Sequence, residues 1–292
     1  MYGDLVKQTL FIPLLVAVLC LGVAGSASAK VYAGCNIKPN TKCVKAELSY
    51  LDLSGSLLSG ANLKDSNLKG TNLSDSTLTR ANLSDTNMKW AKLMNALLSG
   101  INVRHANMEQ ANFTGADLRR ANLSNARLLD YAIFDNANLS RANLSGQDLS
   151  APDRYRDDQP TWTGNFIGAN LSHANLSKAS YVDLSGASNL IGINLSYSGI
   201  NAQQDLTNVN LTRANMSSAD ISGVVMVGVN FTGADLRKTI LSTRNAQSNL
   251  TNANFTNADM RGANLRNADI TGAIFTGAKM KGATMPDGST HP

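Results

Sequence analysis

The sequence predicts an all-β solenoid, a chain wound into a coil of square cross-section. Leucine or another apolar residue returns at every fifth position along most of the 292 residues. The residue two places before each of these is usually Ala, Ser or Thr. The chain is 43% hydrophobic but only 5% aromatic, which is typical of a repeat protein whose core uses small residues.

The five-residue rhythm is plainest between Ser59 and Asp85, where leucine recurs at 63, 68, 73, 78 and 83. Five steps along an α-helix turn by about 140°, so no apolar stripe forms. On a flat strand an odd period sends successive leucines to opposite faces. A short extended piece followed by a turn of about 90° fits the rhythm, because four such units close a coil of about 20 residues. The apolar residue and the small residue two before it then point inward, and the other three positions face water.

Residues 1–29 are predicted to be a secretory signal peptide. An apolar run over 9–25 is followed by small residues ending at Ala29, an Ala-x-Ala pattern that predicts cleavage after this residue. An uncleaved membrane anchor is the alternative, since the run is marginal in length for a span. Pro13 inside the run favours cleavage.

Two cysteines fall in a predicted N-terminal cap, residues 30–45. Cys35 and Cys43 are eight positions apart, and in an exported chain this spacing favours a small disulfide-closed loop. Attachment of a lipid to Cys35 is the alternative, because Ala-Gly-Cys resembles the end of a lipobox. Tyr32, where an aliphatic residue is usual, argues against it.

The repeats form two predicted runs of coils, 46–149 and 166–285. The segment between them, 150–165, has no period and carries two prolines and two aromatic residues. Residues 286–292 form a C-terminal tail that begins with a Pro-Asp-Gly turn signal. About 45 units on four faces give about 11 coils, hence a rod about 50 Å long at strand spacing. The rhythm also slips or breaks at four other places: 128–134, 181–190, 200–206 and 242–249.

The repeated unit resembles the motif of the pentapeptide-repeat family, A-(D/N)-L-x-x. The resemblance covers nearly all of the chain from Ala46 to Met285. It implies a right-handed quadrilateral β-helix and points to exported bacterial members, cyanobacterial ones among them. The segments that match the motif most closely are ANL at 61–63, ANLSD at 81–85, GADLRRANLSNA at 115–126 and ANLRNADITGA at 263–273.

The titratable residues suggest no catalytic chemistry, and we expect neither enzymatic activity nor a cofactor. His105, His173 and His291 are the only histidines, and the first two fall at positions that face solvent. No pairing of a nucleophile with a base can be proposed at any spacing. Two cysteines without a nearby histidine make a poor metal site.

Segment 150–165 is the candidate contact site, because it puts aromatic and charged groups on one projecting loop. A tolerated surface insertion is the alternative. Trp90, at an outward position, either extends this patch or packs on a neighbouring coil. The coil ends expose strand edges, which the Cys35–Cys43 loop and the C-terminal tail cover, unless a bare end pairs with a second copy. The candidate loop residues are Arg154, Tyr155, Arg156, Asp157, Asp158 and Trp162.

The sequence therefore favours a non-enzymatic, exported structural or protein-interaction scaffold in a periplasm or thylakoid lumen. Its partner is a protein that the sequence does not identify, and the oligomeric state stays open. The resemblance offers a second function, a DNA mimic that binds a topoisomerase, but the export signal and the net charge of +5 argue against it. The scattered charge predicts no nucleic-acid partner.

Two further alternatives are weaker. A hydrolase built on the 150–165 segment lacks an acid–base set. Peripheral contact with a membrane is compatible with the basic balance, but the sequence offers no amphipathic helix for it.

Overall fold

The structure, a computed structural model, describes residues 31–32, 34–127, 131–147, 149, 166–200, 204–243 and 245–292. The predicted signal peptide and the segment 150–165 lie outside the described residues. None of the described residues is in an α-helix, and accordingly this part of the chain contains no helix that could cross a bilayer.

The described residues contain four short strands. Strands β1 (Val31–Tyr32) and β2 (Cys35–Asn36) pair antiparallel at the N-terminal end. Strands β3 (Ile240–Ser242) and β4 (Asn264–Leu265) pair in parallel near the C-terminal end. Elsewhere the extended pieces are so short that they pair through single-residue bridges.

The bridges connect residues one coil apart and divide each coil into four faces. Asn62, for example, is bridged in parallel both to Lys42 and to Asn82. Backbone hydrogen bonds beside these bridges also link each coil to the next, as the Leu63 amide donates to the Asn82 carbonyl at 2.8 Å. We number the faces by the residues of the first coil: Lys42 lies on face 1, Glu47 on face 2, Asp52 on face 3 and Leu57 on face 4. The turns between them are the 1–2, 2–3, 3–4 and 4–1 edges.

Face 1 shows that the stacking is continuous along the described part of the molecule. Twelve of its residues are linked one to the next by parallel bridges. They are Lys42, Asn62, Asn82, Asn102, Asn122, Asn143, Asn175, Asn194, Asn215, Asp235, Asp259 and Lys279. The two predicted runs of coils therefore share one stack.

A hydrogen bond closes the turn at the end of most units. In the turn after Leu58, the Ala61 amide donates to the Leu58 carbonyl at 3.0 Å. The third residue of this turn, Gly60, has a φ of 68°, as a type II turn requires. Asp65 and Tyr50 occupy the same turn position with φ of 59° and 56°. The fifth position of the repeat is thus left-handed whether or not it is glycine.

The core is filled by the central residue of each unit, as the period predicts. Leucines such as Leu63 and Leu73 are fully buried, and small residues such as Ala61 fill the corners. Some corner hydroxyls bond to a carbonyl one coil back, as Thr71 Oγ1 donates to the Leu48 carbonyl at 2.8 Å. Others bond within their own turn, as Thr86 Oγ1 donates to the Leu83 carbonyl at 2.7 Å. Aromatic core residues stack between coils, with ring centroids 5.1 Å apart for Phe231 and Phe255. The interior is solid along these coils.

The asparagine before the central residue accepts two kinds of hydrogen bond, one from a nearby backbone amide and one from a side-chain amide of the next coil. The Asn82 side-chain oxygen accepts from the Ser84 amide at 3.1 Å, a local bond typical of Asn in turns. The same oxygen accepts from the Asn102 side-chain amide, one coil on, at 3.1 Å. At Asp117, Asp235 and Asp259, where Asp replaces Asn, the arginine two residues on pairs with the carboxylate, and Arg237 Nη2 lies 2.6 Å from Asp235 Oδ2.

The ends of the stack carry additional structure. Cys35 and Cys43 form a disulfide, and both are buried; this bond uses the sulfur that lipid attachment to Cys35 would need. At the other end Thr290 pairs antiparallel with Thr284, and the His291 amide donates to the Ala283 carbonyl at 2.8 Å. The tail therefore folds back along the last coil.

Candidate interaction surface

The 2–3 edge collects the insertions in the repeat. Regular coils step five positions from face 2 to face 3, as from Asn107 to Asn112. The step is six from Arg127 to Ile133 and nine from Ile240 to Asn249, and the bridges fix these four residues on their faces. The insertions are therefore accommodated at this edge without a shift of the coils that follow.

The longest such step brackets the segment without period. Leu149 and Phe166 are buried residues on faces 2 and 3 and are 17 positions apart. On the far side of this step the register resumes, since Asn138 and Asn143 are bridged to Asn170 and Asn175. The segment 150–165, which begins and ends at this edge, lies outside the described residues.

The other edges are regular by comparison. Among the described residues, every step from face 4 to face 1 and from face 1 to face 2 is five. The step from face 3 to face 4 is six once, from Leu184 to Leu190. The step on the 2–3 edge just before it is shorter than five, because Val182 and Leu184 both enter the core. The step of six makes up part of this difference. Variation in length is therefore concentrated on one edge.

Two exposed aromatic residues lie on this same 2–3 edge. Tyr50 and Trp90 hold the third position of turns two coils apart and are 63% and 42% exposed. Gly70 lies between them, and a Cβ there would come within 2.6 Å of the Tyr50 ring. The ring thus lies against the glycine backbone. The Lys69 ammonium is 5.7 Å from the Tyr50 ring centroid and 4.8 Å from that of Trp90, within the range of cation–π attraction.

Trp90 is also held by the next coil. Its indole Nε1 donates to Gln110 Oε1 at 2.7 Å, and the Lys89 ammonium lies 4.6 Å from its ring centroid. Lys89 in turn pairs with Glu109 at 2.6 Å. Trp90 therefore packs on a neighbouring coil, as one of the two sequence interpretations has it, and still presents ring surface to solvent. That it extends a patch with the 150–165 loop stays a prediction. We call Tyr50, Lys69, Lys89, Trp90, Glu109 and Gln110 the aromatic surface.

The carboxylate at the margin of this surface is fixed by local hydrogen bonds. Glu47, on face 2 of the first coil, accepts bonds from Ser49 and from the Asn67 side-chain amide. These bonds, that of Ser49 above all, lower the pKa of Glu47, because they favour the charged form. The acceptor is thus occupied by partners within the chain.

Of the residues that the sequence predicts for the contact site, only Trp90 lies in the described part of the chain. Trp90 lies on the aromatic surface. The six loop residues lie outside the described residues: Arg154, Tyr155, Arg156, Asp157, Asp158 and Trp162. Tyr50 and the two lysines were not predicted. The signal that finds Tyr50 is its spacing, since residues 50, 70, 90 and 110 each occupy the fifth position of a unit at intervals of one coil.

The remaining titratable groups do not assemble into a reaction site in the described residues. His105 is exposed on the 1–2 edge, with Nδ1 3.3 Å from Asp85 Oδ1, and His173 is exposed on the 4–1 edge. No three potential metal ligands come together in this part of the chain.

The fold defines a class: in the described residues the chain is a β-solenoid of five-residue units, four to a coil, with buried apolar side chains in its interior. The chain belongs to the pentapeptide-repeat family. The family profile, described as pentapeptide repeats, matches it in eight copies over residues 61–100, 91–128, 129–150, 205–242 and 248–285.

Several solved structures are similar to this chain. HetL of the cyanobacterium Nostoc sp. strain PCC 7120, a protein involved in heterocyst differentiation regulation, is 29% identical, with 87% of this chain and 92% of HetL covered and a TM-score of 0.24. QnrB1, a plasmid-mediated fluoroquinolone resistance protein, is 17% identical, with 80% and 92% covered and a TM-score of 0.26. A protein of the Arabidopsis thaliana thylakoid lumen is 25% identical, with 37% and 69% covered and a TM-score of 0.15. Among curated proteins, no significant match was found.

Proposed function

We propose that the protein is an exported, non-enzymatic scaffold that binds another protein through its 2–3 edge. The observation that carries this proposal is the concentration of insertions and exposed aromatic side chains on one edge of an otherwise regular rod. Aromatic residues supply a large share of binding energy at protein interfaces. Irregular connections on a rigid frame are where binding residues are most often placed.

The absence of enzymatic activity is supported by the packing. Central residues such as Leu68 and Leu93 are fully buried between stacked coils, so the interior offers no space to a substrate. Pentapeptide-repeat proteins are in general not enzymes. The exterior of the rod is then the only surface that can act, and we propose that it acts by binding.

Export is supported by the N-terminal sequence and by the disulfide. Disulfides persist in oxidising compartments such as a periplasm, and are rare in a reducing cytosol. We propose that residues 1–29 are removed and that the mature protein begins with the 30–45 cap. The cap would be followed by about 11 right-handed coils, 46–149 and 166–285, and by the tail 286–292. At strand spacing the twelve linked residues of face 1 span about 50 Å.

The test is affinity capture from the exported fraction of the source cells. The bait is the intact protein, a variant lacking 150–165, or the double variant Tyr50→Asn, Trp90→Asn. Asn tolerates the left-handed backbone at both positions. Tyr197→Asn is the matched control, because Tyr197 is an exposed tyrosine at the same turn position on the 1–2 edge.

We expect the intact protein and the control to capture the same partner, and the deletion and the double variant to lose most of it. Capture of an unchanged partner set by both altered baits would overturn the proposed contact. The exported fraction is identified in the same preparation by protection of Cys35 and Cys43 from alkylation until a reductant is added.

A further inference from the structure

The 4–1 edge, diagonally opposite the aromatic surface, carries a line of arginine side chains. Arg80, Arg120, Arg141 and Arg213 each hold the third position of a turn on this edge, with φ between 58° and 61°. Every step from face 4 to face 1 is five, so these positions are aligned one above another. Arg80 and Arg213 are six coils apart, which at strand spacing is about 29 Å.

The four arginines are exposed, and they make no ion pair within the described residues. The eight segments that form this edge between residues 57 and 215 contain one carboxylate, Asp117. That carboxylate is occupied, because Arg119 holds it with two contacts of 2.8 and 2.7 Å. The hydrogen bond from Arg119 also lowers the pKa of Asp117. The line of guanidinium groups is therefore not neutralised by the protein.

Three of the side chains on this edge lie against a glycine of the next coil. A Cβ on Gly100 would meet Arg80 Cγ at 3.5 Å, and one on Gly233 would meet Arg213 Cγ at 3.8 Å. His173, in the same line, lies so close to Gly192 that a Cβ there would come within 2.3 Å of its ring. Arg80, His173 and Arg213 thus each extend along the rod over a glycine one coil further on.

We infer that the 4–1 edge binds a linear polyanionic polysaccharide. Guanidinium groups bind sulfate and carboxylate in a two-pronged geometry, and a straight row of them matches charges spaced along a single polymer chain. The neighbouring positions, such as Thr79, Ser99 and Ser140, are hydroxyl-bearing and suit sugar hydroxyls. These eight segments contain no Phe, Tyr or Trp, whereas proteins that bind single-stranded nucleic acids stack bases on aromatic rings.

The shape of the charged surface also distinguishes a polymer from a membrane. The unpaired arginines form a single row, while an anionic membrane presents a plane and is usually bound by an amphipathic element with a wide apolar side. The choice of a saccharide over a nucleic acid is consistent with the proposed export, but the binding itself does not depend on it.

The probe for the experiment is a fluorescently labelled heparin fragment, a linear sulfated polysaccharide. The test variant is Arg120→Asn, Arg141→Asn, Arg213→Asn. The control variant, Lys45→Asn, Lys178→Asn, Lys238→Asn, removes the same charge from the same turn position on the 1–2 edge, where φ is 58°, 60° and 55°. Thermal unfolding confirms that each variant is folded.

We expect the Kd for heparin to be at least about tenfold higher for the arginine variant than for the intact protein. The Kd should also depend less on salt, because a complex with fewer ionic contacts releases fewer counterions. The lysine variant should change the Kd by less than about threefold. Three results would each overturn the inference: no binding by the intact protein, equal loss in both variants, or tighter binding to single-stranded DNA or to phosphatidylserine vesicles than to heparin at equal charge concentration.

Discussion

At the scale of single residues, the fifth position of the repeat determines how the surface is arranged. Its backbone is left-handed in residues as different as Gly60, Asp65, Trp90 and His105. A left-handed backbone costs a non-glycine residue about 1–2 kcal/mol. Contacts made by the large side chains at this position offset that cost. Tyr50 and Gly70 show one such arrangement, in which a ring covers a glycine one coil further on.

Gly70→Ala should destabilise the protein more than Gly55→Ala. Both glycines have a positive φ, of 64° and 65°, so both substitutions carry the backbone cost of about 1–2 kcal/mol. Only the methyl group at position 70 would come within 2.6 Å of the Tyr50 ring; nothing lies within 4 Å at position 55. The midpoint of thermal unfolding gives the comparison, and equal shifts in the two variants would contradict the stacking of Tyr50 on Gly70.

The sequence predicts part of this residue-scale arrangement. Central and small positions are predicted correctly, because burial selects their size and polarity. The left-handed fifth position is not predicted, because Gly, Asn and Asp share it with Tyr, Trp, Arg and Lys. Because these larger residues are not typical of turns, composition does not identify the position. The aromatic surface can be found in the sequence only from the interval of one coil that separates Tyr50, Gly70 and Trp90.

At the scale of the coil, the stacks of core side chains carry the stability. Phe255 is fully buried, and its ring stacks between those of Phe231 and Phe275, with centroids 5.1 and 5.0 Å away. Phe231 and Phe255 are 24 positions apart rather than 20. The sequence predicts a break in rhythm at 242–249, but the stack forms only because the four additional residues are accommodated at the 2–3 edge. The sequence does not predict at which edge these four residues lie; the bridges between coils show it.

Phe255→Ala should cost about 3–5 kcal/mol, because it removes a ring from a buried stack and leaves a cavity between two others. Phe275→Ala should cost clearly less, because Phe275 is only partly buried near the C-terminal end. Chemical denaturation of the two variants measures the difference. A larger loss for Phe275→Ala would mean that the last coils, rather than the interior stack, limit unfolding.

At the scale of the whole molecule, each coil contacts only its neighbours, so stability is close to a sum of local terms. The disulfide and the folded-back tail then protect the ends rather than the middle. The sequence predicts the cysteine pairing from export and spacing, and the structure has that pairing. The candidate contact loop stays a prediction, since its residues lie outside the described part of the chain.

Replacing both cysteines, Cys35→Ser and Cys43→Ser, should loosen the N-terminal coils and leave the C-terminal ones intact. Opening a loop of this size removes about 2–3 kcal/mol of stabilisation. Hydrogen exchange measures where it is lost: we expect faster exchange at the amides of Leu48 and Leu53, and unchanged exchange at those of Leu250 and Phe255. Uniform acceleration along the whole chain would show that the rod unfolds as one unit.

The concentration of additional residues on the 2–3 edge has a consequence for how the surface can diversify. Leu149 and Phe166 are twelve positions further apart than a regular step of five, yet Arg141 before them and Arg213 after them lie on the same edge. Such a rod can gain or lose a loop on one side while a recognition stripe on the far side keeps its alignment. The two sides are free to change independently of each other.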